Sequence, residues 1–362
     1  MNVVILGAGQ TGRGFLGRLA FLSGANITYV DKNENIVEAL SDRGGYQIDF
    51  FGRQRQALCI RGYEALHLQH PAAAKRVAEA DLVMTSVLAE NLAGIVPLLE
   101  RALSLRGLLP PILVCENGIR PSAKLRDALP KSVRISDAVL LCTTCAHGLD
   151  ISSQDLDFLP YDAAGFDIPA GLYGFSPEYD YPLLCRRKTY TYNCMSACIC
   201  YLGAEKGYVR FEDAANDPQI HASLLELRQI LDRVIAREYG IDLAEQSAFS
   251  QTALDKFASR DIEDTVARNA RGAMRKLGPA ERIVAPMLLA KKQGEDIRLF
   301  EHILAAAIRY GVKESTINTD IGSRTAVCGL LQKVCGIEDV QIQKEIANIL
   351  LMGGKKDETQ LS

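Results

Sequence analysis

Residues 3–14, VVILGAGQTGRG, narrow the fold more than any other stretch of the chain. An apolar run ends at Gly7, glycines follow at the spacing G-x-G-x-x-G, and the amphipathic stretch Phe15 to Leu22 begins at once. Strand, tight turn and helix in that order open a βαβ unit. A second apolar run, Ile27 to Val30, ends in Asp31, 19 residues after Gly12, and Asn33 stands where it can cap the next helix, NENIVEALSDR. In such a unit Gly7 allows the tight turn, Gly9 lets a pyrophosphate approach the backbone, and Gly12 lets helix and strand pack closely. The helix start offers free N–H groups and a positive dipole end to the phosphates. Asp31 would accept hydrogen bonds from ribose hydroxyls and repel a 2′-phosphate, which points to NAD over NADP; Lys32 weakens that exclusion slightly. Gln10 and Thr11 in the loop, Ser86 and Val87 at the end of the strand predicted at 81–87, and Asn117 complete the expected cofactor-binding set.

A chain of 362 residues is long enough for two cores. Further strands are predicted at 81–87, 111–115 and 132–137, with helices between them at about 90–104 and 120–128. Strands separated by helices imply a parallel sheet covered on both faces. Period-two alternation around Gly52 predicts an antiparallel hairpin at about 44–70, added to that sheet. Residues 146–185, rich in Gly, Pro, Asp and Tyr, read as a crossing segment. From 188 onward the periodicity is helical, over 188–206, 219–238, 243–257, 280–293, 297–310 and 340–352. The expected fold is α/β: a Rossmann-type doubly wound sheet in a dinucleotide-binding domain, 1–185, then a mostly α-helical substrate and catalytic domain, 186–352. Residues 353–362 read as a flexible tail.

The balance of charge excludes some partners. With a formal net charge of -3 and 23% charged residues, the chain has no overall nucleic-acid footprint. No apolar run approaches the roughly 20 residues a membrane span needs, and the first residues lead straight into a strand, so a cytoplasmic location is expected. Ten cysteines without a signal segment read as reduced thiols. Cys142 and Cys145, with His147 nearby, have the look of a redox or zinc motif, but no second CxxC exists. Buried, inert thiols are the better reading, and no metal is expected.

Candidate chemistry sits in three places. Asn117, in the Cys-Glu-Asn-Gly run at 115–118, would stand at the lip where a nicotinamide ring lies. Lys188 and Asn193 precede a stretch too apolar for a solvated face, and a lysine among apolar residues loses its proton more readily. Hydride transfer from an alcohol needs a base for the hydroxyl proton and donors for the oxygen, which a lysine and two asparagines supply. The plainer reading is that Lys188 ends a basic run, Arg186-Arg187-Lys188, on a surface helix. Between 268 and 282 lie Arg268, Arg271, Arg275, Lys276 and Arg282, with few acidic residues between them. Arginine forks suit phosphate or carboxylate, although an ordinary solvated helix face looks the same in sequence.

The runs GAGQTGRGFLG, CENG, K-x4-N-x2-S-A-x3-YLG-x2-KGY and RKLGPAERIVAPML, in that order over essentially the whole chain, resemble the polyol-specific long-chain dehydrogenase/reductase family. The resemblance implies a metal-independent NAD oxidoreductase acting on a small sugar alcohol or its ketose. Lys188 would be the general acid/base, and Asn193 and Asn117 would hold the reacting oxygen. The family block ends in histidine where this chain has Ser196, which can hydrogen-bond an oxygen but cannot carry charge; His147 is the candidate substitute. A family aspartate-arginine pair also appears here as Leu140-Leu141. With the resemblance, Arg268, Arg275 and Lys276 become a site for an anionic sugar derivative, either a hexitol phosphate or a uronate-type acid. Reduction of a sugar acid of the tagaturonate type or another small keto acid remains the alternative reaction. An NAD-binding sensor with impaired catalysis remains the alternative class.

Overall fold

The valine-rich start forms a strand because its side chains can be buried on both faces. In the computed structural model, which describes residues 1–53, 55–118 and 120–357, Asn2–Leu6 is β1. Val3 and Ile5 join one core, whereas Val4 and Leu6 join another on the opposite face. A π-helical turn, Gly12–Gly17, leads into α1 (Arg18–Leu22), and β2 (Asn26–Asp31) returns parallel to β1. α2 (Glu34–Arg43), β3 (Gly45–Phe50), β4 (Leu58–Arg61) and β5 (Glu64–His67) follow. Next come α3 (Pro71–Ala78), β6 (Leu82–Thr85), α4 (Val96–Arg106), β7 (Ile112–Val114), α5 (Ala123–Ala128) and β8 (Ile135–Asp137).

The main sheet has the order β5-β2-β1-β6-β7-β8, parallel throughout. Strand order reverses at β1, so the topological switch point lies between β1 and β6. Residues of α1 and α2 contribute to the core on one face, and residues of α3, α4 and α5 to the core on the other.

Two expectations for this unit are corrected. The hairpin exists, as β3 against β4, but it belongs to a separate sheet of order β4-β3-β10-β9, with β9 (Thr144–His147) and β10 (Asp150–Ser153). Residues 64–67 form the edge strand β5 of the main sheet instead. The stretch 146–185 is likewise built into this unit: β9 and β10 are followed by β11 (Leu159–Asp162), which pairs with β12 (Phe175–Glu178). The buried Arg18 fixes it there, donating to Ser153 Oγ at 2.9 Å, Gln154 O at 3.0 Å and Leu156 O at 2.7 Å, and ion-pairing with Asp157 at 3.1 Å. Asp150 adds a bond from Gln47 N at 2.7 Å.

The chain divides into two compact units, Met1–Cys185 and Arg186–Ser362, and α6 (Tyr181–Lys188) spans the division. A second π-helical turn, Thr189–Asn193, leads into α7 (Cys194–Glu205), which is buried along most of its length. The rest of this unit is α8 (Phe211–Ala215), α9 (Pro218–Tyr239), α10 (Leu243–Ala258), α11 (Val266–Ala270), α12 (Ala273–Lys276), α13 (Val284–Lys292), α14 (Arg298–Lys313), α15 (Arg324–Lys333) and α16 (Val340–Asp357). Aspartates start the long helices: Asp217 accepts from Gln219 N and Ile220 N, each at 3.0 Å, and Asp242 from Ala244 N at 2.8 Å. α8, α11, α12 and α15 carry no expectation from periodicity. α16 runs through 353–357, the first part of the expected tail; residues 358–362 lie outside the described residues.

Candidate functional site

The glycine loop has a steric reason at two of its three glycines, Gly7 and Gly12. Gly7 has φ 103°, and a Cβ there would stand 2.1 Å from Ser86 O. A Cβ on Gly12 would stand 2.0 Å from Gly7 O, whereas around Gly9 nothing lies within 4 Å. A backbone closed at two points and open at the middle one is what an incoming diphosphate needs. Asp31 braces the loop: Oδ2 accepts from Ala8 N at 2.6 Å, and Oδ1 from Asn33 N at 2.9 Å. Asn33 stands at the N-cap of α2, but its side chain makes no capping bond, and its backbone N–H turns to Asp31 instead. Thr11 Oγ1 lies 3.4 Å from Thr144 Oγ1, and Gln10 is half-buried. Beneath the loop, the buried Arg13 donates to Ala8 O and, at 3.1 Å, to Gly148 O.

At the carboxyl end of β6, Ser86 N donates to Leu6 O at 2.7 Å, which seats the turn against the glycine loop. Glu116 is buried below this turn and accepts from Thr85 Oγ1 at 3.1 Å, Val87 N at 2.7 Å and Leu88 N at 3.0 Å. Burial raises its pKa, and those three donors oppose the rise. Asn117 follows it, exposed on the loop after β7. On the other side of that loop the buried Asp137 accepts from Ser122 N at 2.9 Å and from Ser122 Oγ.

In the helical unit, Lys188, Asn193 and Ser196 are all half-buried. The π-helical turn sets their relation. Five residues along an ordinary α-helix point well away from the start, whereas a π-helical turn, with its i→i+5 bonding, brings that spacing nearer to one face, and such a turn, Thr189–Asn193, separates Lys188 from the start of α7. Ser196, three residues after Asn193 in α7, continues that face. Ser196 Oγ donates to Asn269 Oδ1 at 3.5 Å, and Asn269 O accepts from Lys276 Nζ. Lys276 is only 6% exposed, and burial lowers its pKa to about 8. Arg187, beside Lys188, lies over the Phe249 ring at 4.5 Å and donates to Glu245 at 2.7 Å and Gln246 at 2.8 Å.

The basic cluster is less uniform than its sequence. Arg268 pairs with Asp264 at 2.9 Å, and Glu281 takes both Arg275 at 3.0 Å and Arg282 at 3.4 Å. The acidic partners are Glu281, the single acidic residue within the run, and Asp264 just before it, so three of the arginines are ion-paired. Lys276 alone of the three proposed anion ligands is buried. His147 lies on β9 of the first unit, its Nε2 3.1 Å from Ser152 Oγ. Glu116, Asn269 and Arg13 escaped the sequence reading. Glu116 sits inside a motif that was singled out, but its burial depends on β6, some thirty residues earlier.

A doubly wound sheet with this glycine loop, joined to a helical unit with a lysine-asparagine face, is the plan of a two-domain nucleotide-dependent dehydrogenase. The profile of the mannitol dehydrogenase Rossmann domain matches residues 1–142, and that of the mannitol dehydrogenase C-terminal domain matches residues 184–356. The chain belongs to the mannitol dehydrogenase family. Mannitol-1-phosphate 5-dehydrogenase of Geobacillus thermodenitrificans is 27% identical over 368 residues, covering 95% of this chain and 94% of the relative. The enzyme of the same name from Anoxybacillus flavithermus is 30% identical over 309 residues, covering 80% and 82%. Among solved structures, Pseudomonas fluorescens mannitol 2-dehydrogenase, in a ternary complex with NAD and D-mannitol, superposes with a TM-score of 0.76 at 14% identity over 99% of this chain and 92% of that one.

Proposed function

We propose that the protein is an NAD-dependent dehydrogenase that interconverts a secondary alcohol of a phosphorylated sugar alcohol with its ketose phosphate, as the mannitol-1-phosphate 5-dehydrogenases among its relatives are named for doing. The observation that carries this reading is the π-helical turn Thr189–Asn193 that follows Lys188, whose wider turn brings a five-residue spacing nearer to one helix face than an α-helix would. A base and an oxygen-binding amide on one helix face are the minimum an alcohol oxidation asks of the protein.

The residues of the first unit fit the cofactor. Gly9 leaves room for a diphosphate and Gly7 and Gly12 hold the loop, while Asp31 would accept from the ribose and Gln10, Thr11, Ser86 and Val87 would complete the cradle. Bound NAD supplies the acceptor for the hydride leaving the alcohol carbon. Lys188, as the neutral amine, takes the hydroxyl proton as the C–H bond breaks, and returns it in the reverse reaction. Asn193 donates its amide hydrogens to the oxygen as it becomes a carbonyl, and Ser196, three residues on, adds a hydroxyl. Lys276 holds the substrate anion, with Arg268 and Arg275 exchanging their carboxylate partners for it. Buried free thiols at Cys115, Cys194, Cys198, Cys200 and Cys335 suit work in the reducing cytoplasm.

The test is a panel of polyol phosphates and keto acids followed by NADH absorbance, with Lys188→Ala beside the wild type. The variant should lose about two to four orders of magnitude in kcat while NADH affinity holds. A fully active variant would move the base elsewhere. A wild type inert to the whole panel yet binding NADH would favour a sensor.

A further inference from the structure

The turn after β6 is strained where the strands it follows are not. Leu88 has φ 73° and ψ 140°, a conformation open to glycine and costly for any residue with a side chain. Its side chain is 61% exposed, so burial of the leucine does not offset the cost. The offset comes from below, where Glu116, 6% exposed, takes bonds from Thr85, Val87 and Leu88 at once. Bonds to a carboxylate are the stronger kind, and two of these three come from the backbone of the turn itself.

A buried carboxylate and a left-handed leucine are two unfavourable features in one place. Neither is needed to complete the sheet, because the ladders of β6 with β1 and β7 end at Thr85. The turn is also wedged against the cradle: Ser86 O occupies the space a Cβ on Gly7 would need, and Ser86 N is bonded to Leu6 O. The glycine loop and this turn thus flank the switch point between β1 and β6, where open α/β sheets bind their ligands.

We propose that Glu116 is a positioning residue for the cofactor, its carboxylate holding Ser86–Leu88 in the strained form that lines the dinucleotide crevice. The inference rests on the NAD reading above. It implies that dinucleotide affinity depends on the clamp because the turn would relax without it.

The chain has no tryptophan, so NADH emission reports binding to the full protein directly. Glu116→Gln places an amide N–H against backbone N–H groups, and should raise the Kd of NADH about tenfold with the helical circular dichroism unchanged. Adding Leu88→Gly to that variant should recover most of the affinity, because glycine takes the same backbone form without being held. A carboxylate with only a structural role would lower the melting temperature, and a glycine at position 88 would not restore binding. Unchanged affinity in Glu116→Gln, or a double variant no better than the single one, overturns the proposal. Should Glu116→Gln not fold, Thr85→Val removes one of the three bonds and should weaken NADH about threefold; unchanged binding there overturns the proposal equally. A wild type that does not bind NADH overturns the cofactor reading itself, a result distinct from all of these.

Discussion

Lys276, in the proposed anion site, would trade stability for binding. Its pKa in the fold, about 8, lies below the ordinary 10.5, so the fold disfavours the ammonium form. The cost is fully present below pH 8 and is gone by pH 10.5; by linkage it amounts to about 3 kcal/mol at most. Lys276→Met should therefore raise stability at pH 7 in urea titrations. The same variant should raise KM for a phosphorylated substrate much more than it lowers kcat. In the wild type, KM should climb as pH passes about 8 and the charge is lost; a KM flat from pH 7 to 9 would remove Lys276 from the anion site. In the proposed reading Asp31 carries two duties, because its carboxylate would accept from the ribose hydroxyls and also braces Ala8. Asp31→Ser should thus weaken NADH and narrow the preference over NADPH, which the wild type should favour NADH by at least about tenfold, or 1.4 kcal/mol. Equal affinities for the two in the wild type would contradict the role given to its charge.

Among the elements, the turn Thr189–Asn193 is the one on which the proposed chemistry most depends. It already accommodates one residue more per turn than an α-helix, which is why a five-residue spacing faces one way. A further residue has no such place to go. Inserting one alanine between Tyr190 and Thr191 should rotate Lys188 off the face of Asn193 and lower kcat at least about a hundredfold, while NADH binding and helix content hold. Retained turnover in that insertion would show that the two side chains need not share a face. The spacing K-x4-N was visible in the sequence, but the π-turn was not, because periodicity cannot tell a widened turn from a slightly misplaced helix. The glycine loop was legible for the opposite reason: Gly7 is fixed by its positive φ and Gly12 by the nearby Gly7 O, constraints that lie within the motif itself. The hairpin at β3 and β4 was legible as a pair but not its sheet, since alternation names the buried face and not the neighbour. The four-residue strands β9 to β12 were hidden by the glycines and prolines between them.

Over the whole molecule, the two units carry separate cores: no residue of the two clusters flanking the sheet appears in the helical cluster. A change of pH can therefore act on one core without the other. Glu301, on α14 in the helical unit, is 5% exposed, and burial raises its pKa to about 7, with Glu345 adding to the rise and Lys291 opposing it. Asp296 and Arg298 also face it, raising and lowering the value respectively. The unfolded carboxyl titrates near 4.5, so the folded state holds its proton longer and binds more protons between the two values. Stability of the helical unit should fall as pH rises from 4.5 to 7 and then level off, by about 3 kcal/mol at most. Glu301→Gln keeps the shape of the protonated form and should remove that slope, leaving the variant more stable than the wild type at pH 8 and little different at pH 4.5. Urea titrations followed by circular dichroism, which the helical unit dominates, read the change. NADH affinity should be the same in both proteins, because the glycine loop belongs to the other core. A wild type as stable at pH 8 as at pH 5, with Glu301→Gln identical to it at both, would mean that Glu301 meets water or a partner that keeps its charge at no cost.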